Sequence, residues 1–484
     1  MMPFETLPEA LEANRRGGQG ISYLESDQAE HSVSYRGLYD RALGILRSLQ
    51  RAGLGPGDEL VLLVNTNEQY VDVFWACLLG GIVPVSVGVG ITDQRRQRLF
   101  RIFPLLARPC VCTDRNNLER LASLAELHDA GAVYAEVRRK TVLLDEITDT
   151  SIPGEPHAAR PDDTAFIQFS SGSPSEPRGV VLTHRNLLAN IAGIIEGIGM
   201  RETDSTFSWM PMTHDMGLIG FHLMPLVMNL NQTQMSTELF IRRPLSWLQQ
   251  AGAKRATLLS SPNFGYRHFL KSFEPGKLDG VQLAAVRLIF NDAEPVSVAL
   301  GEEFLAALAP FGLKANTLFP VYGLAEASLA VAFPRPADPV RVLTIDRHAL
   351  TLDESVTFVD EADGEALRVV SVGRPIKGCR LRIADACDEE LPEACLGRVQ
   401  IAGANVTGGY YRDEAANQEA FTADGWLDTG DLGFMAGGEL VITGRRKEVV
   451  GTGPACLDSD QFDRPTIEQL AAFLERRETQ PVDA

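Results

Sequence analysis

Between Ser34 and Val87 the chain alternates between two periodicities, and that alternation restricts the folds open to it more than any other feature. Ser34–Gly53 (SYRGLYDRALGILRSLQRAG) carries apolar residues at helical spacing and ends in glycine. Asp58–Val64 (DELVLLV) is continuously apolar after its first two residues, Asn67–Leu79 is helical again, and Gly80–Val87 (GGIVPVSV) is a second apolar run. A strand with apolar residues on both faces needs cover on both faces. Helices alternating with such strands therefore predict a parallel, doubly wound sheet. The same alternation resumes from Thr164 to about Val331 and predicts a second α/β layer. A chain of 484 residues exceeds what one hydrophobic core organises, so subdomains are expected.

From about Pro334 to Thr443 the texture changes. Short β-rich pieces (RVLTI, SVTFV, LRVVSVG, CRLRIAD, GRVQIAG, ELVITG) are separated by glycine and acidic turns, which predicts a small β-barrel or distorted sheet. The expected organisation is α/β: two doubly wound subdomains over residues 1–160 and 161–335, a β-rich, barrel-like subdomain over 336–445, and a short tail over 446–484. Pro153–Asp163, polar and proline-bearing, reads as a linker.

A net charge of −19 argues against nucleic acid and anionic membrane surfaces as main partners. The seven cysteines form no CxxC pair and the eight histidines no HExxH, so neither a zinc site nor a disulfide framework is expected. The first residues lack the basic-then-apolar plan of a signal peptide. The longest apolar run, near Ile191–Met200, is interrupted by Glu196 and glycines. The expectation is a soluble, cytoplasmic protein without membrane insertion.

The chemistry is concentrated in four stretches. In Gln168–Thr183 (QFSSGSPSEPRGVVLT) an apolar strand breaks into Ser170, Ser171, Gly172, Ser173, Pro174 and Ser175, followed by Arg178 and a second apolar run. Small hydroxyl residues and glycine let backbone N–H groups face a polyphosphate, and arginine adds a fork-shaped cation. Alone, such a loop is more often ordinary surface. Here it is joined by Trp209–Gly220 (WMPMTHDMGLIG), Val321–Leu329 (VYGLAEASL) and Gly425–Glu448 (GWLDTGDLGFMAGGELVITGRRKE). In this order and at these separations the four resemble the adenylate-forming superfamily, most closely its fatty acyl-AMP ligases, over about residues 10–448.

The resemblance implies ATP-dependent acyl adenylation. A carboxylate oxygen attacks the α-phosphorus of ATP and pyrophosphate leaves, so catalysis rests on alignment and charge stabilisation rather than on a protein nucleophile. ATP and Mg2+ are the implied cofactors, and a fatty or other carboxylic acid the substrate. Ser170, Ser171, Gly172, Ser173 and Arg178 match the loop over the β- and γ-phosphates. The chain departs from the family pattern at Pro174, Ser175 and Arg178, where threonine, glycine and lysine are usual. Tyr322 and Gly323 match the adenine side, and Glu326 the magnesium-binding glutamate. Asp292, Ala293 and Glu294 match the segment bordering the adenine, with Asp292 in place of a usual glycine. Asp431 matches the ribose-binding aspartate and Arg445 a contact from the opposite side. A Tyr-Gly pair in an apolar run is ordinarily core, and a lone glutamate or arginine ordinarily surface; the shared register favours the functional reading.

His214, beside Asp215, fits a polar gate near the acyl carboxylate, or else a structural hydrogen-bonded pair. Met216, Gly217, Phe264 and Leu324 are candidate walls of the acyl pocket. The link between Glu326 and Gly373 is longer than in acyl-CoA synthetases, and its Arg341–Leu350 looks like the insertion of the acyl-AMP ligases. That implies transfer to the phosphopantetheine arm of an acyl or peptidyl carrier protein rather than to coenzyme A. The family continues past its GRRKE-like hinge into a small domain carrying a catalytic lysine. Lys447 stands at the hinge itself and no lysine follows it. Adenylation by this chain alone is therefore expected to be slow unless another polypeptide supplies that lysine. In the tail, Phe462–Leu474 resembles the closing helix of a carrier protein, with Ile467, Leu470, Phe473 and Leu474 on one face. It reads equally as a helix docking on the body. Two further readings stay open: a nucleotide- or acyl-AMP-binding scaffold without turnover, and an acyl-CoA synthetase.

Overall fold

The computed structural model describes residues 3–26, 29–87, 93–169, 177–291, 296–361 and 366–446. Helix Tyr35–Arg51 starts at Ser34, whose side chain accepts from Gly37 N, and buries Leu38, Ala42, Ile45, Leu46 and Leu49. Helix Asn67–Gly80 starts with a capping box between Thr66 and Gln69 and stops at Gly81, in the left-handed region. Strands Glu59–Leu63 and Val83–Ser86 follow these two helices, as the alternation predicts.

Six strands form the first sheet, in the order Thr141–Leu143, Pro109–Thr113, Glu59–Leu63, Val83–Ser86, Thr164–Phe169, Gly179–Thr183. All neighbours are parallel except the last pair. Its central strands Glu59–Leu63 and Val83–Ser86 are mostly apolar and buried along their whole length because both faces are covered. Leu60 and Leu62 pack in the main core with Phe74 and Trp75, while Val61 and Leu63 pack with Leu99, Phe103 and Leu121. The second sheet has seven strands, ordered Leu318–Pro320, Leu288–Asn291, Leu258–Ser260, Thr206–Ser208, Gln232–Met235, Gly20–Leu24, Glu30–Ser34, parallel but for the final pair.

The two sheets interleave along the chain, so a cut at residue 160 does not separate them. Gly20–Leu24 and Glu30–Ser34 belong to the second sheet, and Thr164–Phe169 and Gly179–Thr183 complete the first. Nor is Pro153–Asp163 a free linker. Gly154 N donates to Leu43 O and His157 N to Leu79 O, strapping the segment across both helices of the first layer. Beyond Pro334 the strands pair as a four-stranded antiparallel meander (Cys379–Ala384, Gly397–Gly403, Leu427–Ala436, Glu439–Arg445) and two smaller sheets. The expected strand at Ser355–Val359 is reduced to isolated bridges at Ser355 and Phe358. The tail from residue 447 onward, including Lys447 and Phe462–Leu474, lies outside the described residues.

A buried polar chain joins the layers. Trp75 Nε1 donates to His222 Nε2 (2.8 Å), so the imidazole is neutral and its Nδ1–H donates to Gln232 Oε1 (2.9 Å). Gln232 Nε2 then donates to the Tyr35 hydroxyl, which donates to Leu230 O. Burial pushes the pKa of His222 down to about 4, and that of His184, which accepts from Leu7 N, also to about 4. Both imidazoles are neutral in the fold, whereas the unfolded chain takes up their protons below about 6.5. Stability from these groups is therefore complete above about pH 6.5 and lost as pH falls toward 4, on the order of 3 kcal/mol for each. Unfolding midpoints measured from pH 7.5 to 4.5 should fall through this window. The His222→Gln variant, which cannot take up a proton, should lose its share of that decline.

Candidate active site

The site is hung from one helix, His184–Gly197, that follows the last strand of the first sheet. Asn186 and Asn190 stand one turn apart on a buried face of the helix, among Leu187, Leu188, Ile191 and Ile194. Asn186 Nδ2 donates to Ala404 O (2.8 Å) and Val406 O (2.9 Å). Asn190, fully buried, donates to Ala327 O (3.0 Å) and Ala330 O (2.7 Å) and accepts from Ala330 N (3.1 Å). The first amide thus fixes the 404–406 turn and the second the turn carrying Glu326. A polar i, i+4 pair in an apolar helix is the sequence signal that could have revealed them.

The segment Thr407–Tyr411 runs beside the strand that leaves the phosphate-loop motif. Thr407 Oγ1 donates to Val181 O, Val181 N to Gly409 O and Tyr411 N to Gly179 O. Thr407 N donates to Glu326 O (2.7 Å), so the same segment also braces the Glu326 turn. Gly409 is required here. Its φ of +145° is unsuited to other residues, and a Cβ would lie 2.7 Å from Asn417 Oδ1.

Seven charged or phenolic groups follow one another along this edge. The Tyr322 hydroxyl donates to Asp431 Oδ2 (2.7 Å) and Arg445 Nε lies 3.2 Å from Asp431 Oδ1, a direct cross-strand pair. Burial raises the pKa of Asp431, opposed by the Tyr322 hydroxyl and Arg445. Glu326 Oε1 accepts from the Tyr410 hydroxyl (2.8 Å). Burial also raises the pKa of half-buried Glu326; its own backbone N–H, Tyr410 and Arg445 oppose this, and the charge of Asp215 adds to it. Arg178 Nη2 lies 3.1 Å from Glu419 Oε2, with its guanidinium 5.4 Å from the centre of the Tyr410 ring. Tyr322, Asp431, Arg445, Glu326 and Arg178 are thus brought to one edge, as their motifs imply. Tyr410 and Glu419 went unremarked in the sequence. Ser170, Ser171, Gly172, Ser173, Asp292, Ala293 and Glu294 lie outside the described residues.

His214 and Asp215 pair at 2.7 Å (Nδ1 to Oδ1). Burial works against ionisation of Asp215, but His214 and backbone N–H groups outweigh it and hold the carboxyl below its usual range. Asp215 also caps the wide-turned π-helix Met216–Leu223, where Met216 N donates to its carboxylate (2.8 Å). Gly217 sits so close to the preceding backbone that a Cβ would lie 2.3 Å from Pro211 O.

The π-helix forms one wall of a narrow apolar cleft, with about 20 Å3 open to the centre of a water-sized sphere. Met216, Gly220 and Phe221 of this helix and Met224 just after it line the cleft with Ile194, Phe290, Val321, Tyr322, Gly323 and Phe333. Of the four residues expected to wall an acyl pocket, Met216 lines this cleft and Gly217 lies against Pro211. Phe264 does not reach the cleft, because its ring packs edge-on against Trp209, which is itself stacked on Phe240. Leu324 packs against the main core beside the Glu326 turn. Tyr322 faces both environments: its ring lines the cleft and its hydroxyl holds Asp431.

The chain between Glu326 and Gly373 forms the hairpin of Val342–Asp346 with Ala366–Val370. Arg368 clamps it to helix Val298–Leu308 through two bonds to Glu302 (2.7 and 3.3 Å). Among the described residues no cluster of three or more histidine, cysteine or acidic side chains could hold a metal ion, and no helix is long and apolar enough to cross a membrane.

Residues 12–411 match the family model described as AMP-binding enzyme. A putative acyl-CoA synthetase of Caulobacter vibrioides is 31% identical, covering 92% of this chain and 78% of its own length. A medium-chain-fatty-acid–[acyl-carrier-protein] ligase of Moorena producens is 29% identical over the same shares. Among solved structures, the fatty acid AMP ligase of Legionella pneumophila superposes with a TM-score of 0.83 at 28% identity, covering 92% of this chain and 77% of that one.

Asn190→Ala removes a buried partner from three backbone groups of the Glu326 turn; Ala327 O and Ala330 O keep longer bonds from Asn405, and a group left unpaired costs about 1–3 kcal/mol. It should lower the unfolding midpoint and speed amide hydrogen exchange across residues 325–330 more than in the first sheet. Equal exchange in both regions would contradict the anchoring role.

Proposed function

Because the chain belongs to the AMP-binding, adenylate-forming enzymes, we propose that it activates a fatty or related carboxylic acid with ATP, giving an acyl-adenylate and pyrophosphate. The observation that carries this reading is the meeting of two unlike environments at Tyr322. A row of nucleotide-type polar groups lies on one side and an apolar cleft on the other. An acid whose chain fills the cleft would present its carboxylate at the row's edge, beside His214.

The fit to a nucleotide also rests on chemistry present in the fold. Asn291 ends the strand bordering the adenine segment, and its Oδ1 is buried without a partner among the described residues, an acceptor suited to an exocyclic amine. Asp431 is a buried carboxylate matched to ribose hydroxyls, and Arg445 flanks it. Glu326 is the carboxylate suited to Mg2+, and Arg178 with Ser170–Ser173 is suited to the β- and γ-phosphates. Bound Mg2+ would neutralise phosphate charge as pyrophosphate departs. The substrate oxygen forms its bond to the α-phosphorus while the bond to the β-phosphate oxygen breaks, and no protein atom is modified. His214, tied to Asp215, keeps the polar end of the cleft defined.

The acceptor of the acyl group in this reading is the thiol of a carrier-protein arm. Two observations favour it over coenzyme A: the hairpin clamped by Arg368, and the similarity to a ligase whose name specifies an acyl carrier protein.

Acid-dependent exchange of labelled pyrophosphate into ATP, measured across medium- and long-chain acids, tests the reading. Exchange is expected, alone or with a lysine-bearing partner domain. Glu326→Gln and Asp431→Asn should each reduce it by at least about tenfold, the equivalent of about 1.4 kcal/mol in the transition state. Nucleotide binding with no exchange under any of these conditions would leave a binding module in place of an enzyme.

A further inference from the structure

Arg178 stands where the resemblance places lysine, and its surroundings account for the difference. The guanidinium meets Glu419 (Nη2 to Oε2, 3.1 Å) while lying over the Tyr410 ring at 5.4 Å. A planar fork can hold a carboxylate on its edge with its face over an aromatic ring, a stacked geometry that a compact lysine ammonium does not reproduce. We infer that Glu419 is a resident competitor for Arg178, holding it in a set position and lowering the affinity of the site for polyphosphate. The inference rests on the adenylating reading, since it assigns Arg178 to the nucleotide's phosphates.

The local architecture fits such a role. Glu419 lies on the short helix Glu414–Ala420, started by Asp413, which accepts from Ala416 N. Two residues before it, Asn417 grips the backbone of Tyr410 from both sides, accepting from its N (2.6 Å) and donating to its O (3.2 Å). Tyr410 then carries Arg178 on its ring and donates its hydroxyl to Glu326. One short helix therefore sets both the cation meant for phosphate and the carboxylate meant for Mg2+. The Glu419 side chain is 58% exposed, so its pairing with Arg178 is screened and weak. That strength suffices to orient the guanidinium and yields to a multiply charged phosphate chain, whereas a buried pair would not yield.

The test is calorimetric titration with the magnesium complex of α,β-methylene-ATP, which cannot release pyrophosphate. Glu419→Gln is expected to tighten binding by about two- to fivefold, the range for an exposed ion pair. Glu419→Asp, which keeps the charge but shortens the side chain, should tighten it as well. In an Arg178→Met background Glu419→Gln should change nothing, while Glu414→Gln on the same helix should be silent throughout. Unchanged or weaker binding by both Glu419 variants would overturn the inference. So would equal tightening in the Arg178→Met background, which would trace the effect to net charge alone. If the unmodified protein fails to bind the analogue, the adenylating reading itself falls, and that result is distinct from either of the others.

Discussion

Two side-chain amides, Asn186 and Asn190, set the geometry on which the site depends. Each is buried on the packed face of its helix, where an unpaired amide would be costly, so each must find backbone partners and keep them. The partners lie in parts of the chain more than one hundred and thirty residues away. Moving either turn orphans several groups at once, which makes the arrangement nearly all-or-none. The buried chain from Trp75 through His222 and Gln232 to Tyr35 applies the same constraint between the layers. It also holds the far end of the π-helix that walls the cleft.

The site is accordingly a convergence rather than a loop. Strand ends supply Tyr322 and Asn291, the meander supplies Asp431 and Arg445, and the segment from Thr407 to Tyr411 connects the phosphate side to the Glu326 turn. That segment is edge-paired to the first sheet at Val181, so the phosphate side and the Glu326 carboxylate are registered by ordinary backbone bonds. Charge stabilisation without reorganisation needs this kind of fixed placement.

Much of this was legible in the sequence, for identifiable reasons. Strands covered on both faces and helices with one apolar stripe follow local rules, so Tyr35–Arg51, Asn67–Gly80 and Thr164–Phe169 fell where periodicity put them. Tyr322, Glu326, Asp431 and Arg445 came from motifs, which already encode distant pairing. Tyr410 and Glu419 escaped because their roles exist only through partners 84 and 241 residues away. Phe264 packs edge-on against Trp209 and does not line the cleft, a contact set by a residue 55 positions away and invisible to local pattern. The division at residue 160 failed because the chain exchanges strands between sheets, which no local pattern records. The strand expected at Ser355–Val359 failed because β-propensity without a full-length neighbour leaves only bridges.

Tyr322 belongs at once to the apolar cleft and, through its hydroxyl, to the buried Asp431 carboxylate. A residue shared in this way cannot be exchanged to suit a different acid without disturbing the grip on Asp431. A change in the cleft that leaves this grip intact must therefore fall on other lining residues, such as Ile194, Met224 and Phe333, where size can vary while Asp431 keeps its partner.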